Sequence, residues 1–307
     1  MKQQRNRTSR LVLSIAAIAG SAGILMCFLK NDREHPDTYS DTETPVVIGQ
    51  PIAESTEKTA GYEEPLYDET EKSDTSASIT EETFSIQETT RLQHLPAGEF
   101  AAAGRLADGW VHSLFFASPV DDTVSARING RSYTENPNIR LSDLSYLKML
   151  YYGFDGNTYI GEMIVNKKIE SKVLEIFQTL YENEYPIEQM VLIDTYDADD
   201  TLSMEQNNTS AFNYRTIAGS SRLSNHSYGM AIDLNPKYNP YVKTASDGSI
   251  VCQPESGREY ADRTKEFAGK IDETDLAYRL FTEAGFTWGG SWNSVKDYQH
   301  FEMADEG

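Results

Sequence analysis

What most restricts the folding of this chain is a long stretch that cannot form a core. Residues 31–95 hold 16 Asp and Glu against four Lys and Arg, with many Thr, Ser and Pro and few large apolar side chains. Such a segment buries too little apolar surface to offset the entropy of ordering it. It is expected to be a disordered acidic stalk, so any globular domain must lie outside it. As a flexible coil, about 65 residues span roughly 45 Å r.m.s., and repulsion among the acids extends that.

The N-terminal side is too short for a domain but suits a membrane. Lys2, Arg5, Arg7 and Arg10 precede 19 uncharged residues, Leu11 to Leu29, which Lys30 closes. That length is close to the ~20 residues of a bilayer-crossing helix and exceeds the ~7–15 of a cleavable signal core. Its end, Ile24-Leu25-Met26-Cys27-Phe28-Leu29, lacks the small residues of a cleavage site, and Met26 is not the small residue that precedes a lipoprotein cysteine. Residues 1–30 are therefore expected to be a cytosolic tip and an uncleaved anchor. The positive-inside rule places everything after Lys30 outside the cell. Cleavage would instead give a secreted protein.

The remaining 96–307 must carry the folded domain. Ser142 to Tyr152 and Asn157 to Val165 are strand-like, with Asp155-Gly156 as a turn between them. Ile169, Val173, Ile176, Phe177 and Leu180 fall at helical spacing, and Met190 to Ile193 is a short apolar run that predicts a buried strand. Thr274 is placed to cap a helix whose inner face carries Ala277, Leu280, Phe281 and Ala284, and Gly285 stops it. Strands and helices mix without βαβ alternation, so the expected class is α+β.

Charge and composition narrow the chemistry. Lys plus Arg number 27 and Asp plus Glu 48, a net charge of −21, which argues against nucleic acid as a partner. Two cysteines exclude a disulfide framework and cysteine-based zinc modules. Neither nucleotide-binding glycine motif occurs. With five histidines, any metal site has few sources.

Two stretches concentrate the candidates. One is Ser224-Asn225-His226-Ser227-Tyr228-Gly229-Met230-Ala231-Ile232-Asp233; the other runs from Trp288-Gly289-Gly290-Ser291-Trp292 to Asp297-Tyr298-Gln299-His300-Phe301-Glu302. His226 and His300 are nitrogen donors and Asp233 is a carboxylate, the ligand types of a catalytic zinc site with three protein ligands and an open position. Asp297, three residues before His300, is near enough to act on a water there without being a ligand. A lone histidine is more often a structural residue, and Asp233 before Asn-Pro could simply begin a turn.

In combination, S-x-H-x-x-G-x-A-x-D followed by a tryptophan-containing segment ending D-x-x-H-F resembles the zinc D-alanyl-D-alanine carboxypeptidase family. That family includes the vancomycin-resistance-type D,D-carboxypeptidases and the L-alanyl-D-glutamate endopeptidases. The similarity reaches upstream through Phe212-Asn213-Tyr214-Arg215 to the hairpin around Asp155-Gly156, roughly residues 115–305. It implies a small mixed zinc-peptidase fold of the D-Ala-D-Ala peptidase and hedgehog type. It further implies zinc held by His226, Asp233 and His300, with Asp297 as the catalytic carboxylate. Arg215 takes the place of the arginine that binds substrate carboxylate, and Ser224 that of the motif serine at the rim. Many relatives have Glu at position 297; Asp occurs notably in the endopeptidase branch.

The reading that follows is a membrane-tethered zinc peptidase acting on peptidoglycan stem peptides, with a D,D-carboxypeptidase ahead of an L-alanyl-D-glutamate endopeptidase. From another class comes a non-catalytic wall-binding module that keeps the zinc fold. Three ligands with an open position, together with Asp297 and Arg215, favour the enzyme.

Overall fold

The structure is a computed structural model that describes residues 86–304. The anchor expected within 1–30, with Cys27, and the stalk from 31 to 85 lie outside the described residues. Among those described, no helix is long and apolar enough to cross a membrane. The mixture of helices and antiparallel sheets agrees with the α+β class.

The main sheet is built on the expected hairpin. β1 (Phe100–Ala103), β2 (Phe116–Pro119), β3 (Leu144–Tyr152) and β4 (Asn157–Asn166) form an antiparallel sheet in the order β1-β4-β3-β2. Gly156 has φ +79° in the turn joining β3 to β4, a conformation glycine adopts without steric cost. Between these strands come two short helices, α2 (Asp108–Val111) and α3 (Asp122–Ile128), the latter capped by the Asp121 carboxylate. α1, residues 86–94, precedes the sheet.

That α1 is ordered corrects the stalk boundary. Composition assigns residues 86–95 to the acidic segment, yet Leu92 is only 1% exposed in the core. Lys148 Nζ, on β3, donates at 2.6 Å to the carbonyls of Gln93 and Leu95. Leu92, the Lys148 ammonium and a Gln93 Nε2 bond to the Ser113 carbonyl attach this short helix, and such single contacts are averaged away in the composition of a long window.

α4 (Glu170–Glu182) lies across the sheet, burying Val173, Ile176, Phe177, Leu180 and Tyr181 at the expected spacing. Its opposite neighbour is α6 (Leu276–Glu283), joined through an edge-to-face pair of Phe177 and Phe281, 6.2 Å apart. The cap of α6 is Asp275 rather than Thr274: its carboxylate accepts from the N–H groups of Ala277 and Tyr278. Thr274 instead turns its hydroxyl to Asp272.

Met190 to Ile193 is buried but does not form the expected strand. Val191 N donates to the Asn208 side chain at 2.9 Å, and Ile193–Tyr196 closes as a 3₁₀ turn. The β4 backbone reaches this run only at Met190, whose carbonyl accepts from Glu162 N; the Asn208 and Glu162 side chains take the backbone groups of Val191 and Leu192.

Two small sheets complete the domain. β5 (Ala231–Asp233), β8 (Thr287–Trp288) and β10 (His300–Glu302) form one, with β10 central. β6 (Tyr241–Thr244), β7 (Ile250–Gln253) and β9 (Lys296–Asp297) form the other, with β6 central. α5 (Asp200–Glu205) packs against the 3₁₀ segments Ile193–Tyr196 and Glu255–Ala261. Cys252 on β7 is a buried free thiol.

Candidate functional site

The period-two alternation of β10 separates core from chemistry. Phe301 is fully buried and stacks on Phe281 at 4.3 Å, while His300 and Glu302 share the other face. β5 runs antiparallel to β10 with His300 opposite Asp233 and Phe301 opposite Ile232. The strand register thus sets the imidazole against the carboxylate: His300 Nδ1 lies 3.0 Å from Asp233 Oδ1.

His226 arrives from a 3₁₀ turn, Asn225–Tyr228, that ends at Gly229. Gly229 has φ +65°, and a Cβ there would stand 2.6 Å from Asn166 N at the end of β4. Only glycine permits this close approach, which ties the turn to the main sheet through Asn166 N donating to Gly229 O at 2.8 Å. His226 Nδ1 lies 2.5 Å from the Ala211 carbonyl and, as donor to it, leaves Nε2 with a lone pair. Nε2 stands 3.2 Å from both Asp233 Oδ2 and His300 Nδ1.

Ligand atoms from these three residues lie within 4.8 Å of one another, a group able to hold a metal ion. The inner atoms are lone-pair donors, two nitrogens and a carboxylate, as borderline-soft zinc prefers. Burial works against charge on Asp233, but the facing imidazoles of His226 and His300 hold its carboxyl well below the usual range. Burial likewise opposes charge on His300, and here Asp233 and Glu302 prevail and raise its pKa.

Asp297 projects from β9 into the same cleft, which has a volume of about 520 Å³ and is also lined by Arg215, Tyr241 and Trp292. Burial pushes its carboxyl up to about 6. Its Oδ1 is buried with no hydrogen-bond partner among the described residues. Glu302, at the other side of the cleft, hydrogen-bonds His300 Nε2 at 3.1 Å.

Arg215 lies in the cleft wall, its backbone N–H and carbonyl both bonded to the Ser227 hydroxyl, at 2.9 and 2.7 Å. Its guanidinium pairs with Asp200, a residue of α5 that sequence reasoning did not single out. Asn213 Nδ2 in turn holds Asp200 at 2.8 Å. Ser224, expected at the rim, is only 6% exposed, and its hydroxyl accepts from His226 N at 3.3 Å. It caps the turn that carries His226, a positioning contact. Trp288 belongs to the core, and Trp292 forms part of the wall beside the His300 ring.

Residues 218–303 match the profile of a peptidase family described as D-alanyl-D-alanine carboxypeptidase. The resemblance read from the two motifs and this profile match point to the same family. The match contains His226, Asp233, Asp297 and His300, and begins three residues after Arg215. The chain is also similar to the peptidoglycan L-alanyl-D-glutamate endopeptidase CwlK of Bacillus subtilis, 34% identical over 80 residues. That stretch is 26% of this chain and spans 39% of the relative's length. No solved structure gives a significant match.

Proposed function

We propose that the protein is a zinc-dependent peptidase that hydrolyses peptidoglycan stem peptides, with D-alanyl-D-alanine carboxypeptidase as the favoured activity. The observation that carries this reading is the convergence of His226, Asp233 and His300 beside the unpartnered Asp297 Oδ1 in one cleft. His226 Nε2, His300 Nδ1 and Asp233 would hold the ion. When bound, zinc supplies Lewis acidity that polarises a peptide carbonyl and acidifies water.

The chain's own groups do the rest. Asp297 Oδ1, buried and facing no other hydrogen, is the atom that takes a proton from the attacking water and passes it to the leaving amine. Its elevated pKa suits it to both transfers near neutral pH. Arg215, with Asp200 on its Nε edge, offers further guanidinium donors to a substrate carboxylate. The proposed setting is the outer face of a bacterial membrane, with residues 1–30 as tether.

A second reading, the L-alanyl-D-glutamate endopeptidase, is favoured by the similarity to CwlK and by aspartate at position 297. The full chain, incubated with free and C-terminally amidated pentapeptide side by side, separates the two. A carboxypeptidase removes one residue and is slowed by the amide about 10- to 150-fold, the worth of a hydrogen bond to a charged group. Equal rates with cleavage after L-Ala would transfer the protein to the endopeptidase branch. No cleavage of either peptide, with metal bound, would favour the wall-binding module.

A further inference from the structure

We infer that Glu302 is a positioning residue for the metal centre: its carboxylate fixes His300 in the tautomer that turns Nδ1 toward the ion. The inference rests on the metal reading above and concerns a residue outside the proposed ligand set.

His300 must present one nitrogen to the metal and carry its hydrogen on the other. Nδ1 is the inner atom, 3.2 Å from His226 Nε2 and 3.0 Å from Asp233 Oδ1. Nε2 therefore carries the hydrogen, and Glu302 Oε2 receives it at 3.1 Å. The strand sets this contact, because His300 and Glu302 are two residues apart on one face of β10. The backbone of Glu302 is held as well: Thr287 Oγ1 donates to its carbonyl at 3.2 Å.

The carboxylate is itself aimed. Asn225 Nδ2 donates to the same Oε2 at 2.6 Å. Asn225 directly precedes His226, so this contact ties the turn carrying one metal-facing imidazole to the group that orients the other. A carboxylate accepting from the outer N–H of a ligating imidazole fixes ring orientation and raises ligand basicity, and its loss typically costs 10–100-fold in metal affinity. His226 has a neutral carbonyl, Ala211 O, in the equivalent place, so Glu302 is the anionic one of the two supports.

The test is zinc affinity of the full chain, measured by competition with a chromophoric chelator, for wild type, Glu302→Gln and Asn225→Ala. Glu302→Gln is nearly isosteric and is expected to weaken zinc about 10–100-fold, with a smaller loss in Asn225→Ala. Long-range ¹H–¹⁵N spectra of the zinc-loaded chain should show His300 protonated at Nε2 in wild type and broadened or mixed in Glu302→Gln. An unchanged affinity and spectrum in Glu302→Gln would overturn the inference while leaving the metal reading intact. Complete loss of zinc, matching His300→Ala, would overturn it differently by making Glu302 a ligand. Failure of wild type to bind zinc would remove the metal reading itself.

Discussion

Glu162 and Asp233 are both carboxylates withdrawn from solvent, yet their surroundings are built in opposite ways. Around Glu162, on β4, hydrogens point inward: Arg127 Nη1 and Nη2 approach at 2.8 and 2.5 Å, Tyr146 OH at 2.7 Å and Leu192 N at 3.4 Å. Burial opposes its charge, but Arg127 and Tyr146 hold its pKa down. Around Asp233 the near atoms are His226 Nε2 and His300 Nδ1, whose partners on the far side are the Ala211 carbonyl and the Glu302 carboxylate. Those outer acceptors claim the ring hydrogens and leave lone pairs facing each other inside. The first cluster is complete within the protein; the second is a group able to hold a metal ion. Burial alone does not separate a structural network from a functional one, whereas the direction of the hydrogens does.

The largest expected effects lie in the open cluster. His226→Ala or His300→Ala should release zinc and reduce peptide cleavage to background, because two remaining ligands hold the ion poorly; elemental analysis of the purified chain reads this directly. Asp297→Asn should behave otherwise, keeping its zinc while turnover falls ~10²–10⁴-fold, the usual contribution of a general base. Full zinc occupancy in both histidine variants would show that these imidazoles do not hold the ion. Loss of metal in Asp297→Asn would move that residue into the ligand set.

The closed cluster should respond in stability and not in chemistry. Removing one partner of a buried pair typically costs ~3–5 kcal/mol. The Arg127 side chain is 41% exposed, and Tyr146 and Leu192 N remain, so Arg127→Met is expected to destabilise by about 2–3 kcal/mol in urea unfolding. The folded variant should bind zinc and cleave peptide as wild type does. A fall in zinc affinity would mean that the two clusters are coupled through β4.

How much of this was legible in the sequence follows the same division. The hairpin, α4 and the inner face of α6 are local patterns of period two and 3.6, and they stand where periodicity puts them. The residues of the open cluster could be named because they fall in two compact motifs that together resemble those of a zinc-peptidase family; residue types alone leave a structural reading open. Glu162, Arg127 and Asp200 escaped notice since their meaning is in long-range pairing, 35 residues apart in the first case, and no spacing rule marks it. The strand expected at Met190–Ile193 failed for a related reason: Asn208, distant in sequence, takes the backbone bonds. The attachment of α1 likewise depends on Lys148, which sequence proximity does not reveal.

A third buried carboxylate extends the comparison and carries the smallest effect. Asp275 caps α6 and accepts from Ala277 N at 2.9 Å and Tyr185 OH at 3.2 Å; the Arg263 guanidinium is near enough to feel its charge but spends its hydrogen bonds on the Tyr238 and Ile271 carbonyls. Burial pushes its pKa up to about 6 from an ordinary 3.8. Between those values the native chain keeps a proton that the unfolded chain has released, so stability falls as pH rises from ~4 to ~6 and is level beyond. Two units correspond to about 2–3 kcal/mol at most. Asn caps a helix about as well as Asp and has no charge to desolvate, so Asp275→Asn should escape this loss and gain ~1–2 kcal/mol over wild type at pH 7.5. At pH 4 the two should be nearly equal. Denaturant unfolding at both values measures the difference, and an Asn variant less stable than wild type at pH 7.5 would show that Asp275 is charged and stabilising there. In that event a buried carboxylate can stay ionised with only neutral hydrogen-bond donors in contact, and the direction of hydrogens around Asp233 would no longer suffice to mark a cation site.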